Sequence, residues 1–223
     1  MTFPARLVDG YRDFLTGRLT LEQSRYRELA ERGQSPQITV IGCADSRVSP
    51  EVIFNAPPGG LFVVRNEANL VPLYAPDSGQ HGVSAALEFG VAALKVQHIV
   101  VLGHAQCGGV QAFADDAEPA LARRLHRKMD VADGAAAEKV GPRGDLSRAE
   151  YLTRLEQANV VNSLDNLLTF PRLRKLVEVG RISIHGAYFG VATGRLSVRD
   201  PATGEFKQIA VEDYARLFAE PRF

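Results

Sequence analysis

The chain is poor in cysteine, has no excess of charge of either sign and carries no long apolar run. Each lack excludes something. Two cysteines in 223 residues are too few for a fold built on disulfides. Lys+Arg and Asp+Glu are equal at 26 each, which removes the electrostatic case for binding DNA, RNA or an anionic membrane. No apolar stretch approaches the roughly 18 residues of a spanning helix. The N-terminal segment MTFPARLVDGYRDF has charges every few residues and no apolar centre, unlike a secretory signal. The expected location is therefore the cytoplasm, where thiols stay reduced and a cysteine pair is a metal-ligand or catalytic candidate before it is a disulfide. No internal repeat or low-complexity segment occurs. The chain also lacks Cys-x-x-Cys, a Walker lysine and G-x-G-x-x-G, which argues against a redox dithiol and against nucleotide binding.

What is present reads as a single α/β domain spanning residues 1–223. Phe3, Leu7, Tyr11, Phe14 and Leu15 fall at helical spacing, and a second helix follows a break at Gly17. Residues 1–33 thus form a helical arm outside the sheet. Three short apolar, β-branched runs, Ile38–Ile41, Leu61–Val64 and His98–Leu102, have the character of buried parallel strands. A fourth runs from Arg181 to Phe189, and a turn at Thr193-Gly194 leads into Arg195–Val198, an expected antiparallel edge strand. Helices are expected over 82–95 and 147–170, with a short one from Pro171. Residues 115–144 are charged and Gly/Pro-punctuated, and belong outside the sheet as helix plus loop. The expectation is a mainly parallel central sheet with an antiparallel edge strand and flanking helices.

Two strands end alike. Ile41-Gly42 runs into Cys43-Ala-Asp45-Ser-Arg47, and Leu102-Gly103 runs into His104-Ala-Gln-Cys107-Gly108-Gly109. Ligands of open α/β sheets bind outside the carboxyl ends of the strands. If the two strands are neighbours, Cys43, His104 and Cys107 converge there. Two thiolates and an imidazole form a soft set suited to Zn²⁺, and three protein ligands leave a fourth position for water, as in catalytic sites. The plainer alternative is that each cysteine is a small buried apolar residue and the histidine a hydrogen-bonded strand terminus. Against it, both cysteines of the chain sit at matching strand ends. Asp45 and Arg47 are either a surface ion pair of little worth or a dyad in which Arg47 fixes Asp45 so that Asp45 steers a reacting group.

The segments CADSR, RNEANLV (Arg65 to Val71) and GHAQCGG resemble the β-class carbonic anhydrases. The family pattern C-x-D-x-R … H-x-x-C is matched by Cys43, Asp45, Arg47, His104 and Cys107, and the likeness runs from about Arg25 to the C-terminal strand. The resemblance implies one zinc per subunit and reversible hydration of carbon dioxide to bicarbonate and a proton. A zinc-bound hydroxide oriented by the Asp45–Arg47 dyad would be the nucleophile. It also implies a homodimer or a higher even oligomer such as a homotetramer, with the active site at the subunit interface and the N-terminal helices wrapped on the partner.

The resemblance extends to a plant-like branch. Gln34, nine residues before Cys43, falls where that branch carries a glutamine that binds substrate or bicarbonate. Phe62 and Phe89 match its apolar pocket, with Val64 a further candidate, and the backbone at Gly108 and Gly109 is expected to hydrogen-bond the product. Another branch has a regulatory bicarbonate site with a tryptophan three residues before the first cysteine. Here that position is Val40, so no such site is expected. One departure is Glu67, where relatives usually carry an apolar residue. It either turns to solvent or stands near the metal and repels bicarbonate. His81 is a candidate proton shuttle. The rival readings are hydrolysis of carbonyl sulfide or carbon disulfide at the same metal, and a non-catalytic zinc module. The open three-ligand set beside a dyad disfavours the second.

Overall fold

The computed structural model describes residues 3–76, 81–115 and 138–209. Most of the charged segment after Asp115 falls outside the described residues, as do the last fourteen residues of the chain. The arm consists of α1 (Ala5–Thr16) and α2 (Arg18–Arg32). The sheet strands follow as β1 (Ile38–Cys43), β2 (Leu61–Asn66), β3 (His98–His104), β4 (Ser183–Gly190), β5 (Arg195–Arg199) and β6 (Phe206–Gln208). Between them lie α3 (Pro50–Ile53), α4 (Gly82–Phe89), α5 (Gly108–Ala114), α6 (Arg148–Leu167) and α7 (Pro171–Glu178). Among the described residues no helix is long and apolar enough to cross a membrane.

The sheet order is β2-β1-β3-β4-β5-β6. The first four strands are parallel, while β5 and β6 are antiparallel to their neighbours. The mainly parallel sheet is as expected, with two antiparallel strands at its edge rather than one. The second, β6, follows a turn in which Asp200 Oδ1 accepts the Ala202 and Thr203 amides at 2.8 and 3.3 Å, and Gly204 takes φ 78°. The chain leaves β1 for β2 on one side and reaches β3 on the other. β1 is thus the strand at which the order reverses, and the crevice outside its carboxyl end is where this architecture opens a site.

Valine and isoleucine dominate β1 and β3 because both faces of a central parallel strand are covered. Ile41, Ile99 and Val101 pack with Leu87, Val160, Leu164 and Phe170 on one face. On the other, Val40, Leu102 and Ala187 form a smaller cluster with half-buried Ile38, Leu61, Val100 and Leu196. The helix expected over 82–95 is α4 followed by a wider turn, Gly90–Leu94, that closes on left-handed Lys95.

Helix α6 begins at a capping box, in which Ser147 and Glu150 satisfy each other's backbone amides. Its inner face is unusually polar. Asn159 Nδ2 donates to Ala68 O at 2.7 Å, Ser163 Oγ to Asn69 O at 3.2 Å, and Asn166 Nδ2 to Val71 O at 2.8 Å. Spaced about one helical turn apart, these side chains satisfy the backbone of the segment that leaves β2. That segment needs the help. Ala68 and Asn69 both take left-handed φ, 57° and 53°, which costs a non-glycine residue about 1 kcal/mol or more.

Candidate metal centre

Cys43 is the last residue of β1, and His104 the last of β3. The two strands are paired neighbours, so both side chains emerge at one end of the sheet. Cys107 returns to the same place after a tight turn in which Gln106 takes φ 57°. The three ligand atoms lie within 4.8 Å of one another, all on buried residues. Cys43 Sγ and Cys107 Sγ are 3.9 Å apart. His104 Nδ1 lies 3.0 Å from Ala105 O, which sets the tautomer with the proton on Nδ1 and the lone pair on Nε2. That Nε2 is buried and has no hydrogen-bond partner. An orphaned imidazole nitrogen facing two sulfurs fits a thiophilic ion, and the soft donor set fits Zn²⁺.

The thiols titrate as a pair. Cys43 is lowered, chiefly because the Cys107 thiol hydrogen-bonds its thiolate, with His104 and the Asp45 and Ala68 amides assisting against burial. Cys107 is raised, because it supplies that hydrogen bond and is itself buried. The pair is thus pushed apart, Cys43 towards the thiolate and Cys107 towards the thiol. Burial opposes the charged form of His104, but the Cys43 thiolate outweighs this and the net shift is upward.

Asp45 and Arg47 sit on the turn after β1. Arg47 donates from Nε to Asp45 Oδ1 at 2.9 Å and from a terminal nitrogen to Oδ2 at 2.6 Å, and its own amide reaches Oδ1 at 3.0 Å. The same guanidinium donates to Gln106 O at 3.0 Å, tying the two ligand loops together. Those Arg47 hydrogen bonds hold the Asp45 carboxyl well below the usual range. Asp45 Oδ2 is 4.0 Å from His104 Nε2. Arg65, at the end of β2, donates to Cys43 O at 2.9 Å and to Asp45 O at 2.7 Å, which clamps the Cys43–Asp45 turn from the other side.

The remaining candidates divide. Gly108 and Gly109 open α5 directly after Cys107, and a Cβ on Gly109 would lie 3.3 Å from Ala68 Cβ and 3.9 Å from Cys107 Sγ. Phe62 and Phe89 meet each other, with ring centroids 5.9 Å apart. They do so away from the ligands, since Phe62 pairs with Thr39 while Asn66 pairs with Cys43. Four residues of strand are about 13 Å. Val64 pairs with Ile41 and packs against the main core. Gln34 is exposed just beyond α2, Glu67 is exposed in the turn Glu67–Asn69, and His81 precedes α4. Arg47, Gln106, Gly108, Leu152, Thr153 and Glu156 are among the residues that border a cavity of about 790 Å³ of mixed polar and apolar lining beside the dyad.

Two contributors lie outside the sequence motifs, Glu156 and Tyr188, while Arg65 opens RNEANLV with nothing in the motif to mark its contact with the Cys43–Asp45 turn. Glu156 left a signal, an acid on the inward stripe of a helix between Leu155 and Val160. Its Oε1 accepts the Cys107 amide at 3.0 Å and its Oε2 accepts the Tyr188 hydroxyl at 2.5 Å.

The carbonic anhydrase family model matches residues 38–196, which hold every ligand candidate. The chain is 38% identical to the carbonic anhydrase of Pseudomonas aeruginosa over 208 residues, covering 92% of this chain and 91% of that one. It is likewise 38% identical over 210 residues to carbonic anhydrase 1 of Escherichia coli O157:H7, with 92% and 91% covered. Among solved structures, the β-carbonic anhydrase CcaA superposes with a TM-score of 0.82 at 26% identity, over 92% of each chain. A tetrameric β-carbonic anhydrase from Sordaria macrospora gives 0.74 at 28% identity, over 87% of this chain and 95% of its own.

Proposed function

The chain belongs to the β-carbonic anhydrase family, and from that premise we propose that it hydrates carbon dioxide reversibly with one zinc ion per subunit, held by Cys43, His104 and Cys107. The observation that carries the reading is the buried Cys–His–Cys cluster, whose free imidazole nitrogen lies 4.0 Å from an aspartate pinned by an arginine. Zinc bound there would supply the Lewis acidity that turns water into a nucleophile near neutral pH.

The chain's own residues do the rest. Arg47 holds both oxygens of Asp45 in a planar fork, so Asp45 stays ionised and points in one direction. Asp45 accepts a hydrogen bond from the attacking water and aims its lone pair at the carbon of CO₂. The fork leaves Asp45 occupied with Arg47, so that it does not compete for the metal. The amides of Gly108 and Gly109, with the carboxamide of Gln34, bind the bicarbonate formed. Glu67 is exposed, which supports an outward-facing side chain that leaves bicarbonate undisturbed.

The assembly completes the site. Gln34, Phe62 and Phe89 do not reach the ligands of their own subunit, so the reading requires a second copy to bring them across. The arm supports this. No residue of α1 or α2 is buried within the chain, and Phe3, Leu7, Tyr11 and Leu21 are exposed. A homodimer, or a tetramer built from two, covers that face, with the enzyme in the cytoplasm.

Stopped-flow CO₂ hydration by zinc-loaded protein from about pH 6.5 to 9, with Cys43→Ser as control, tests the reading. Turnover that rises with pH and vanishes in the variant is expected, because two thiolates offset the metal's charge and keep the bound water less acidic. A zinc-loaded parent without turnover at any pH would overturn it.

A further inference from the structure

Glu156 is a carboxylate only 3% exposed, and the proposed reaction makes no use of it. Burying such a group is costly unless its oxygens are hydrogen-bonded, and here both are. One takes the Cys107 amide at 3.0 Å, and the other takes the Tyr188 hydroxyl at 2.5 Å. Glu156 continues the polar face of α6 that holds residues 68–71 through Asn159, Ser163 and Asn166. It differs from them in its target, which is the loop of a ligand.

That loop is strained as well. Gln106 is left-handed at φ 57°, and the amide that follows it, on Cys107, lies ahead of α5 with no helical acceptor. Without Glu156 this buried amide would lose its partner and carry the full penalty of an unsatisfied donor. The turn would be free to relax, and Cys107 Sγ would leave the place where it faces Cys43 Sγ at 3.9 Å.

We infer that Glu156 is a positioning residue of the metal centre: it anchors the Cys107 backbone, with Tyr188 fixing its second oxygen, so that the third ligand is set in place before an ion arrives. The inference rests on the zinc reading of the cluster. Its chemistry differs from that of the dyad, since Glu156 touches neither the ion nor the substrate.

The test is zinc release from the loaded, full-length enzyme into excess chelator, with thermal melting and kcat and KM measured on the same samples. Glu156→Leu removes the acceptor and is expected to release zinc about 10–100-fold faster, the usual cost of losing a group behind a ligand. In Glu156→Gln the amide oxygen still accepts from Cys107 and the NH₂ can donate to the Tyr188 oxygen. That variant should stay within about threefold of the parent. Tyr188→Phe frees one oxygen and should fall between the two. Parent-like release from Glu156→Leu, with only a lower melting temperature, overturns the inference. So does Glu156→Gln failing as badly as Glu156→Leu. If Glu156→Leu does not fold, Tyr188→Phe decides: faster release carries the inference and parent-like release overturns it. A parent that takes up no zinc defeats the zinc reading itself, and this inference with it, whereas a zinc-binding parent with indifferent variants defeats this inference alone.

Discussion

Arg47 grips both oxygens of Asp45, at 2.9 and 2.6 Å, while the same carboxylate stands 4.0 Å from the free nitrogen of His104. The aspartate thus stands beside the Cys–His–Cys cluster with both of its oxygens engaged by Arg47. Two residues of spacing on one turn, plus an amide from Arg47 itself at 3.0 Å, produce this without any contribution from the core.

The fork makes the dyad sensitive to shape as well as charge. Arg47→Ala is expected to lower kcat roughly 100-fold or more, in the range of other lost positioning groups. Arg47→Lys keeps the charge and loses the bidentate geometry, so it should recover only part of the rate. The Asp45 carboxyl is lowered by Arg47, so the dyad's stabilisation is full above the ordinary carboxyl pKa and is lost only as pH falls through the lowered folded value. The acid limb of the pH–rate profile should therefore not belong to Asp45. Rates at about pH 8 and full profiles for both variants check this, and a fully active Arg47→Lys would count against the fork.

Zinc uptake should release protons. Burial and the hydrogen bond to Cys43 raise the Cys107 thiol, so binding of zinc by both sulfurs at neutral pH is expected to expel its proton. Indicator-dye titration with zinc should show it, and affinity should weaken as pH falls. Cys107→Ser is expected to hold little zinc by elemental analysis and to show no turnover. Stoichiometric, pH-independent binding by the parent would contradict a raised Cys107 thiol.

Gly103, one residue before His104, should not tolerate a side chain. Its Cβ would lie 2.5 Å from Val160 Cγ2, on the helix that also carries Glu156. Gly103→Ala is expected to destabilise by about 1–3 kcal/mol through overpacking, and to speed zinc loss by pushing α6 away. Urea denaturation and chelator release should move together; a change in neither would show that α6 yields freely.

At Glu67, Glu67→Val should leave kcat/KM and the pH profile within about twofold of the parent, in keeping with an exposed surface site. A large gain in kcat/KM, or an acid shift of the profile, would instead place the carboxylate beside the bicarbonate.

For the arm, deleting residues 1–33, or changing Leu7 and Tyr11 together to Glu, is expected to shift the mass in light scattering to that of one subunit and to abolish turnover. A deletion that stays oligomeric and active would remove the arm from both roles.

Much of the fold and of the site is legible in the order of the amino acids. The strands at 38–41, 61–64 and 98–102 stand out because strands buried on both faces need β-branched apolar runs. The candidate ligands are legible because Cys43 closes one strand and Cys107 follows the end of its neighbour, and local sequence fixes where a strand stops. Asp45 and Arg47 are legible because their contact spans two residues. What stays hidden depends on contacts distant in sequence. Arg65 reaches Cys43 from 22 residues away, Glu156 reaches Cys107 from 49, and Asn159 reaches Ala68 from 91. The left-handed turns at Ala68 and Gln106 carry no glycine to mark them, because tertiary hydrogen bonds, rather than backbone preference, hold them there. Phe62 shows the reverse limit. Its apolar character suits a pocket, yet the register with β1 sets it about four residues from the ligand end. By itself the sequence determined which atoms are offered to a metal. Only the tertiary structure decided how firmly they are held, because hydrogen bonds from β2, α6 and β4 to the ligand loops exist only once the sheet has brought those elements together.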